Sequence, residues 1–146
     1  MTRLSVFLIG ITTLLLTACE VAPEKIEYGT DACSYCDMTI VDPKHASQVV
    51  TKKGKNYKYD AVECMVHHLQ DALADQPIAL TLVADFDNPG ELTDAAKAGY
   101  LVSEEIKSPM GANLASFKNE EKAKAAQQLY NGKTYSWSTI REHLKL

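Results

Sequence analysis

An apolar run at the N-terminus, Leu4 to Leu16, follows the single cation Arg3 and is interrupted by Ser5, Gly10, Thr12 and Thr13. It is too short and too broken to remain in a bilayer as a permanent helix, and it reads as an export signal covering residues 1–18. Whatever fold forms must therefore be built by the remainder, outside the cytoplasm, from one domain's worth of chain with a modest core. Loss of Arg3 takes one from the 15 basic residues that stand against 19 acidic ones, so the formal net charge of −4 becomes one unit more negative. With no basic patch and no interleaving of aromatic and basic residues, nothing points to nucleic acid as a partner.

The run closes in "LTAC", Leu16 to Cys19, which resembles the bacterial lipobox, whose cysteine is lipidated and becomes the first mature residue. The expected organisation is a lipoprotein signal peptide over 1–18, lipidation at Cys19, a lipid-anchored tether over 19–30 and a functional domain over 31–146. Two or more acyl chains on Cys19 supply stable membrane attachment. Glu20 resembles an outer-membrane sorting residue, so the expected place is the periplasmic side of the outer membrane. An ordinary secretory signal with a chance cysteine is the alternative. Beyond the anchor, Cys33, Cys36 and Cys64 remain, and an odd number leaves at least one outside any intramolecular disulfide.

The domain reads as a mixture of short strands and helices. Thr39–Val41 and Ser47–Thr51 are strand-like, Lys53 to Asn56 is a hairpin-type turn, and Tyr57–Tyr59 follows it. Asp60 is placed to cap a helix over 61–73, where Val62, Met65, Val66, Leu69 and Leu73 recur at helical spacing. "IALTLVADF" reads as a buried strand, and "DNPGELTDAAKA" as turns with one helical turn. "GYLVSEEI" is a strand, "SPMGANLASF" a turn into a strand, and "KNEEKAKAAQQLYN" a helix capped by Asn119 with Gly132 just past its end. "GKTYSW" echoes "GKNYKY", and each precedes a short helical segment. Met38 and Met110 are each placed near the start of a unit. The expected fold is α+β, two small related strand–strand–helix–strand units forming one compact domain.

The densest chemistry lies in "CSYCDM", Cys33 to Met38. A Cys33–Cys36 disulfide is the plain reading of an exported Cys-x-x-Cys. A thioredoxin-like redox site needs the pair at a helix N-terminus, and "CSYCDMTIVDP" is too β-branched and too soon ended by Pro43 to provide one. A zinc site needs four N or S ligands, which Cys64, His67 and His68 could complete. Cu(I) prefers thiolate and thioether and accepts two or three ligands, so the methionine is the discriminating residue. A thioether has no proton to lose and forms no disulfide. Met110 offers a second one, in a Pro-Met-Gly loop where a core-filling methionine is unusual. Taken singly, each methionine is more readily explained by packing than by ligation.

"CSYCDM", "YDAVECMVHHL", "VADFDNPGELTDAAKAGYLV" and "SPMGANLASF" together resemble the NosL family, copper-binding lipoproteins that support maturation of nitrous oxide reductase, over about Asp31 to Leu144. The resemblance implies a two-part α+β fold and a Cu(I) chaperone rather than an enzyme. It also implies handover, with a NosDFY-type ABC assembly complex, toward the copper–sulfide centre of nitrous oxide reductase. Carried onto this chain, the ligands are Cys36 and Met38, from a Cys-Gly-Met element whose glycine is Asp37 here, and Met110 from the Pro-Met-Gly loop. Cys33 and Cys64 are possible auxiliary ligands, and a homodimer supplying ligands from two chains is one compatible arrangement.

Several residues carry a competing plain reading. Cys64, His67 and His68 share one helical face, which suits a metal, but the favoured reading is a small buried cysteine beside partly exposed histidines. His45 and His143 read as surface residues. Asp85, Asp87, Glu91 and Asp94 suggest a calcium loop, but the EF-hand spacing is absent. An enzyme using the cysteine pair with Asp37 would need a positioned acid or base, and no triad or nucleotide motif is evident. The fallback function is a zinc-binding or thiol-redox lipoprotein built on the Cys-x-x-Cys pair.

Overall fold

Lys52 to Lys55 turn the chain between two strands, β1 (Ser47–Thr51) and β2 (Asn56–Tyr59), with Gly54 in the left-handed region at φ 81°. This hairpin is where a computed structural model, describing residues 21–145, begins its first repeat. The expected signal peptide and the lipidation site Cys19 lie outside the described residues. Helix α1 (Val62–Gln70) follows, then β3 (Ile78–Ala84), which returns antiparallel to β1 on the side away from β2. A further strand, β4 (Leu92–Asp94), pairs with β3 and completes a four-stranded sheet of order β2-β1-β3-β4. The sequence was expected to make turns and one helical turn there, because three residues are too few to show a period-2 pattern.

The second unit uses the same connections. β5 (Gly99–Val102) and β6 (Leu114–Phe117) pair antiparallel, α2 (Glu120–Tyr130) follows, and β7 (Lys133–Tyr135) pairs with β5 on the other side. In both sheets the first strand is central, flanked by the second and third, so the strand–strand–helix–strand duplication is present in the topology. The local echo was a false register, however. "GKNYKY" forms the second strand of its unit and "GKTYSW" the third strand of the other. Met110 likewise lies between β5 and β6 rather than at a unit's start. Helix α3 (Trp137–His143) ends the chain, with Ser136 and Thr139 forming a reciprocal capping box.

Alternation along the strands sends side chains into two cores. Leu101, Ala115 and Phe117 face α2, meeting Ala123 and Ala126. Tyr100 and Leu114 face the opposite way, toward Ile140 of α3 and Val62, Met65 and Val66 of α1, in the larger shared core. Close docking of α2 requires Gly99, where a Cβ would stand 2.6 Å from the carbonyl oxygen of Asn119. Asn119 caps α2 as expected, its side chain accepting from the Lys122 N–H.

Two expectations around α1 change. Its N-cap is Ala61, with no side-chain cap, so Asp60 is not spent on capping. The helix also stops at Gln70, and Leu73 reaches the core from a following turn. Residues 22–30, expected as tether, run against the first hairpin. Asn56 Nδ2 donates to the Ala22 carbonyl, Gln48 Nε2 to that of Glu24, and Ile26 joins the larger core. Among the described residues no helix is long and apolar enough to cross a membrane.

Candidate metal centre

Two reciprocal backbone bonds, Gly29 N–H to Ile40 (2.8 Å) and Ile40 N–H to Asp31 (2.9 Å), close a loop around an isolated bridge between Ala32 and Thr39. Thr39–Val41 therefore contributes one bridge rather than the expected strand. Cys33 to Met38 form the tip. The Cys33 N–H donates to the Met38 carbonyl at 2.8 Å, and the Asp37 N–H to that of Cys33 at 3.0 Å. Closing so tight a turn puts Asp37 at φ 62°, a left-handed conformation that glycine adopts freely and Asp tolerates better than most residues. The tip is tied to β2 by the Ser34 N–H on the Lys58 carbonyl and the Lys58 N–H on Ser34 Oγ.

That docking drives Cys33 inward, to 1 % exposure, against the β2–α1 junction that carries Asp60 (2 %) and Cys64 (0 %). Cys36 is half-buried at the lip. One donor atom from each of Cys33, Cys36, Asp60 and Cys64 lies within 4.8 Å of every other. Donors shared by a tetrahedral ion at about 2.3 Å would stand about 3.8 Å apart, so small side-chain shifts would let all four ligate together. All three cysteines are free thiols.

The electrostatics of this cluster are uneven. The Cys64 thiol donates to Cys33, whose sulfur also receives backbone N–H groups from Cys36, Asp60 and Tyr35, and together they draw Cys33 down to about 6 against the cost of burial. Cys64 is pushed up because its proton is held by Cys33 and because it is buried, and burial raises Cys36. The Cys36 thiol lies 3.6 Å from Asp60 Oδ1, while Asp60 Oδ2 is buried without a hydrogen-bond partner among the described residues.

The expected ligands divide by depth. Cys36, Cys33 and Cys64 converge, with Cys64 fully buried at the base. Met38 is 50 % exposed at the same tip, and Met110 is 42 % exposed in its own loop. That loop is docked on α1 by Glu63, which accepts from Ser108 Oγ at 2.9 Å and from the Ala112 N–H at 3.2 Å. Met110 shares a concavity with His67, whose ring lies 5.7 Å from that of Tyr35, the neighbour of Cys36.

The histidines go elsewhere. His67 Nε2 donates to the Leu144 carbonyl at 3.0 Å, and His68 Nδ1 pairs with the Tyr59 hydroxyl at 2.9 Å. Burial lowers the pKa of His68. His45, expected at the surface, is buried with Nδ1 on the Leu114 carbonyl, because the strand-to-strand contact between units closes over it. His143 is exposed and stacks on Tyr135. Asp85 organises its own loop, accepting from Asn88 Nδ2 at 2.7 Å. Asp60 is the site residue that sequence reasoning missed. Its position four residues before Cys64, just ahead of the N-cap Ala61, was the available signal.

The model of the NosL family matches residues 25–144. The chain belongs to the NosL family. It is 31 % identical over 157 aligned positions to the copper-binding lipoprotein NosL of Stutzerimonas stutzeri, covering 93 % of this chain and 83 % of that one. Its fold superposes on the crystal structure of the copper chaperone NosL from Shewanella denitrificans with a TM-score of 0.67 at 21 % identity, covering 82 % of this chain and 95 % of the other. The NosL match begins before Asp31, in the stretch that packs on the first hairpin.

Proposed function

We propose that this protein is a carrier of copper as Cu(I), held by cysteine sulfur and exchanged through methionine sulfur. The observation that carries the reading is the convergence of thiols from two separate segments behind an exposed thioether at the same turn. Membership of the NosL family and similarity to the copper-binding lipoprotein of Stutzerimonas stutzeri support it. Cys36, Met38 and Met110 are the ligands assigned to the ion in transit, with Cys33 and Cys64 behind them. Thiolate and thioether both favour a soft monovalent ion, and a thioether cannot be lost to a disulfide as thiols are in an oxidising compartment.

The reading extends to place and partner. As in a lipoprotein relative, Cys19 would anchor the chain to a membrane through lipid, facing the periplasm and, from Glu20, on the outer membrane. The recipient would be the assembly route to the copper–sulfide centre of nitrous oxide reductase, through a NosDFY-type complex. No substrate bond is made or broken, so the protein works as a carrier and not an enzyme.

One observation favours a second reading. Asp60 completes a set of three thiols and a carboxylate that would also hold zinc. Metal analysis separates the two. The reduced full chain, solubilised in detergent and offered equimolar Cu(I) and Zn(II), should take up about one Cu(I) with thiolate-to-copper absorption in the ultraviolet. Zinc retained in preference to copper would overturn the carrier reading.

A further inference from the structure

We infer that the cargo ion has two stations joined by Cys36: an inner seat of Cys33, Cys36 and Cys64 beside Asp60, and an outer rim in which Cys36 acts with Met38 and Met110. This rests on the copper-carrier reading and adds to it where the ion is kept and how it leaves.

Depth is the first argument. Cys33, Cys64 and Asp60 are almost wholly enclosed, Cys36 is half-buried, and both methionines are open to solvent. Donors at such different depths cannot all be reached equally by an incoming partner, and the one sulfur at an intermediate depth is Cys36. The second argument is that the interior is arranged for an ion. Three backbone N–H groups and the Cys64 thiol are turned on the Cys33 sulfur, which fixes its position among the other donors. Asp60 Oδ2 is buried and unpartnered beside these sulfurs. A buried carboxylate oxygen without a partner is costly unless a cation or its ligands come to face it. The third argument is chemical. Thiolates bind a soft ion more strongly than thioethers do, so the inner seat retains and the rim exchanges. Passage between them needs only that Cys36 keep its bond while the other donors change.

The test uses the full chain, reduced and in detergent, with Cu(I) retention measured against a Cu(I)-selective chelator. Cys33→Ala and Cys64→Ala should each weaken retention at least about tenfold, since even a residue behind a ligand is worth that much. Met38→Leu with Met110→Leu alters only exposed positions and keeps the fold testable. It should slow transfer of Cu(I) to the chelator, and weaken retention less than either cysteine variant does. If the cysteine variants retain Cu(I) like wild type, or the double methionine variant loses the ion altogether, the inner seat is wrong and the carrier reading survives. Failure of wild type itself to bind Cu(I) would instead bring down the carrier reading, and this inference with it.

Discussion

Asp37 holds a conformation that most side chains resist, and the resistance can be measured. At φ 62° an alanine, with no side-chain oxygen to ease the left-handed form, should destabilise the domain by about 1 kcal/mol, whereas Asp37→Gly should cost less than about half of that. Urea unfolding of the three proteins checks the order, and an alanine variant as stable as wild type would refute it. The cysteine cluster gives a pH signature as well. Cys33 is drawn down to about 6 in the fold, below an unfolded thiol at about 8.5, so between those values the unfolded chain binds more protons. Stability of the metal-free, reduced chain should therefore rise with pH across that window, by at most about 1.4 kcal/mol per unit, and this contribution is absent below it. Above about pH 8.5 the sign reverses, because Cys36 and Cys64 keep protons that the unfolded chain releases. Subtracting the profile of Cys33→Ala isolates the effect, and parallel profiles would exclude it. Of this chemistry the sequence showed the sulfurs, since two thiols and a thioether within six residues are an unusual set. It hid Asp60, because an aspartate before a helix is most simply a cap.

At the scale of elements, legibility followed length and periodicity. β1, β3 and α2 were expected close to where they lie, because their patterns run for several residues and α2 carries both a cap and a terminating glycine. β4 and the end of α1 were not, being set by pairing with β3 and by the turn that brings Leu73 inward. Gly99 shows how a single residue decides the placement of a whole element. With Asn119 and Glu120 backbone atoms 2.6 Å from where its Cβ would be, Gly99→Ala must push α2 away from β5. The expected cost is about 1–3 kcal/mol, the range for overfilling a packed interior. Thermal unfolding of the variant measures it, and an unchanged midpoint would show that α2 shifts freely. On the carrier reading, the loss should leave Cu(I) binding intact once the protein is folded, since α2 covers the face of β5 turned away from the cysteines.

At the scale of the molecule, the two repeats are unequal partners. The sequence showed that there were two, yet mispaired them, because a local echo of Gly-Lys-x-Tyr is weaker information than strand order. Only the first repeat carries the cysteine cluster, at the junction where the loop tip meets β2 and α1. The second repeat supplies the loop bearing Met110 and, through α3 and the shared core, the support behind α1. Binding an ion at this junction therefore ties the chain before β1 to the helix at the centre of the larger core, and it should be felt by the whole fold rather than by one loop. On the carrier reading, free Cu(I) at a hundred times its dissociation constant should raise the unfolding free energy by about 2.7 kcal/mol, provided the unfolded chain does not compete for the ion. Urea unfolding under reducing conditions, followed both by backbone signal and by Trp137 in the second repeat, tests this. The two signals should shift together. A shift in the backbone signal with none at Trp137 would mean that the site stabilises only its own loop, and that the repeats unfold apart.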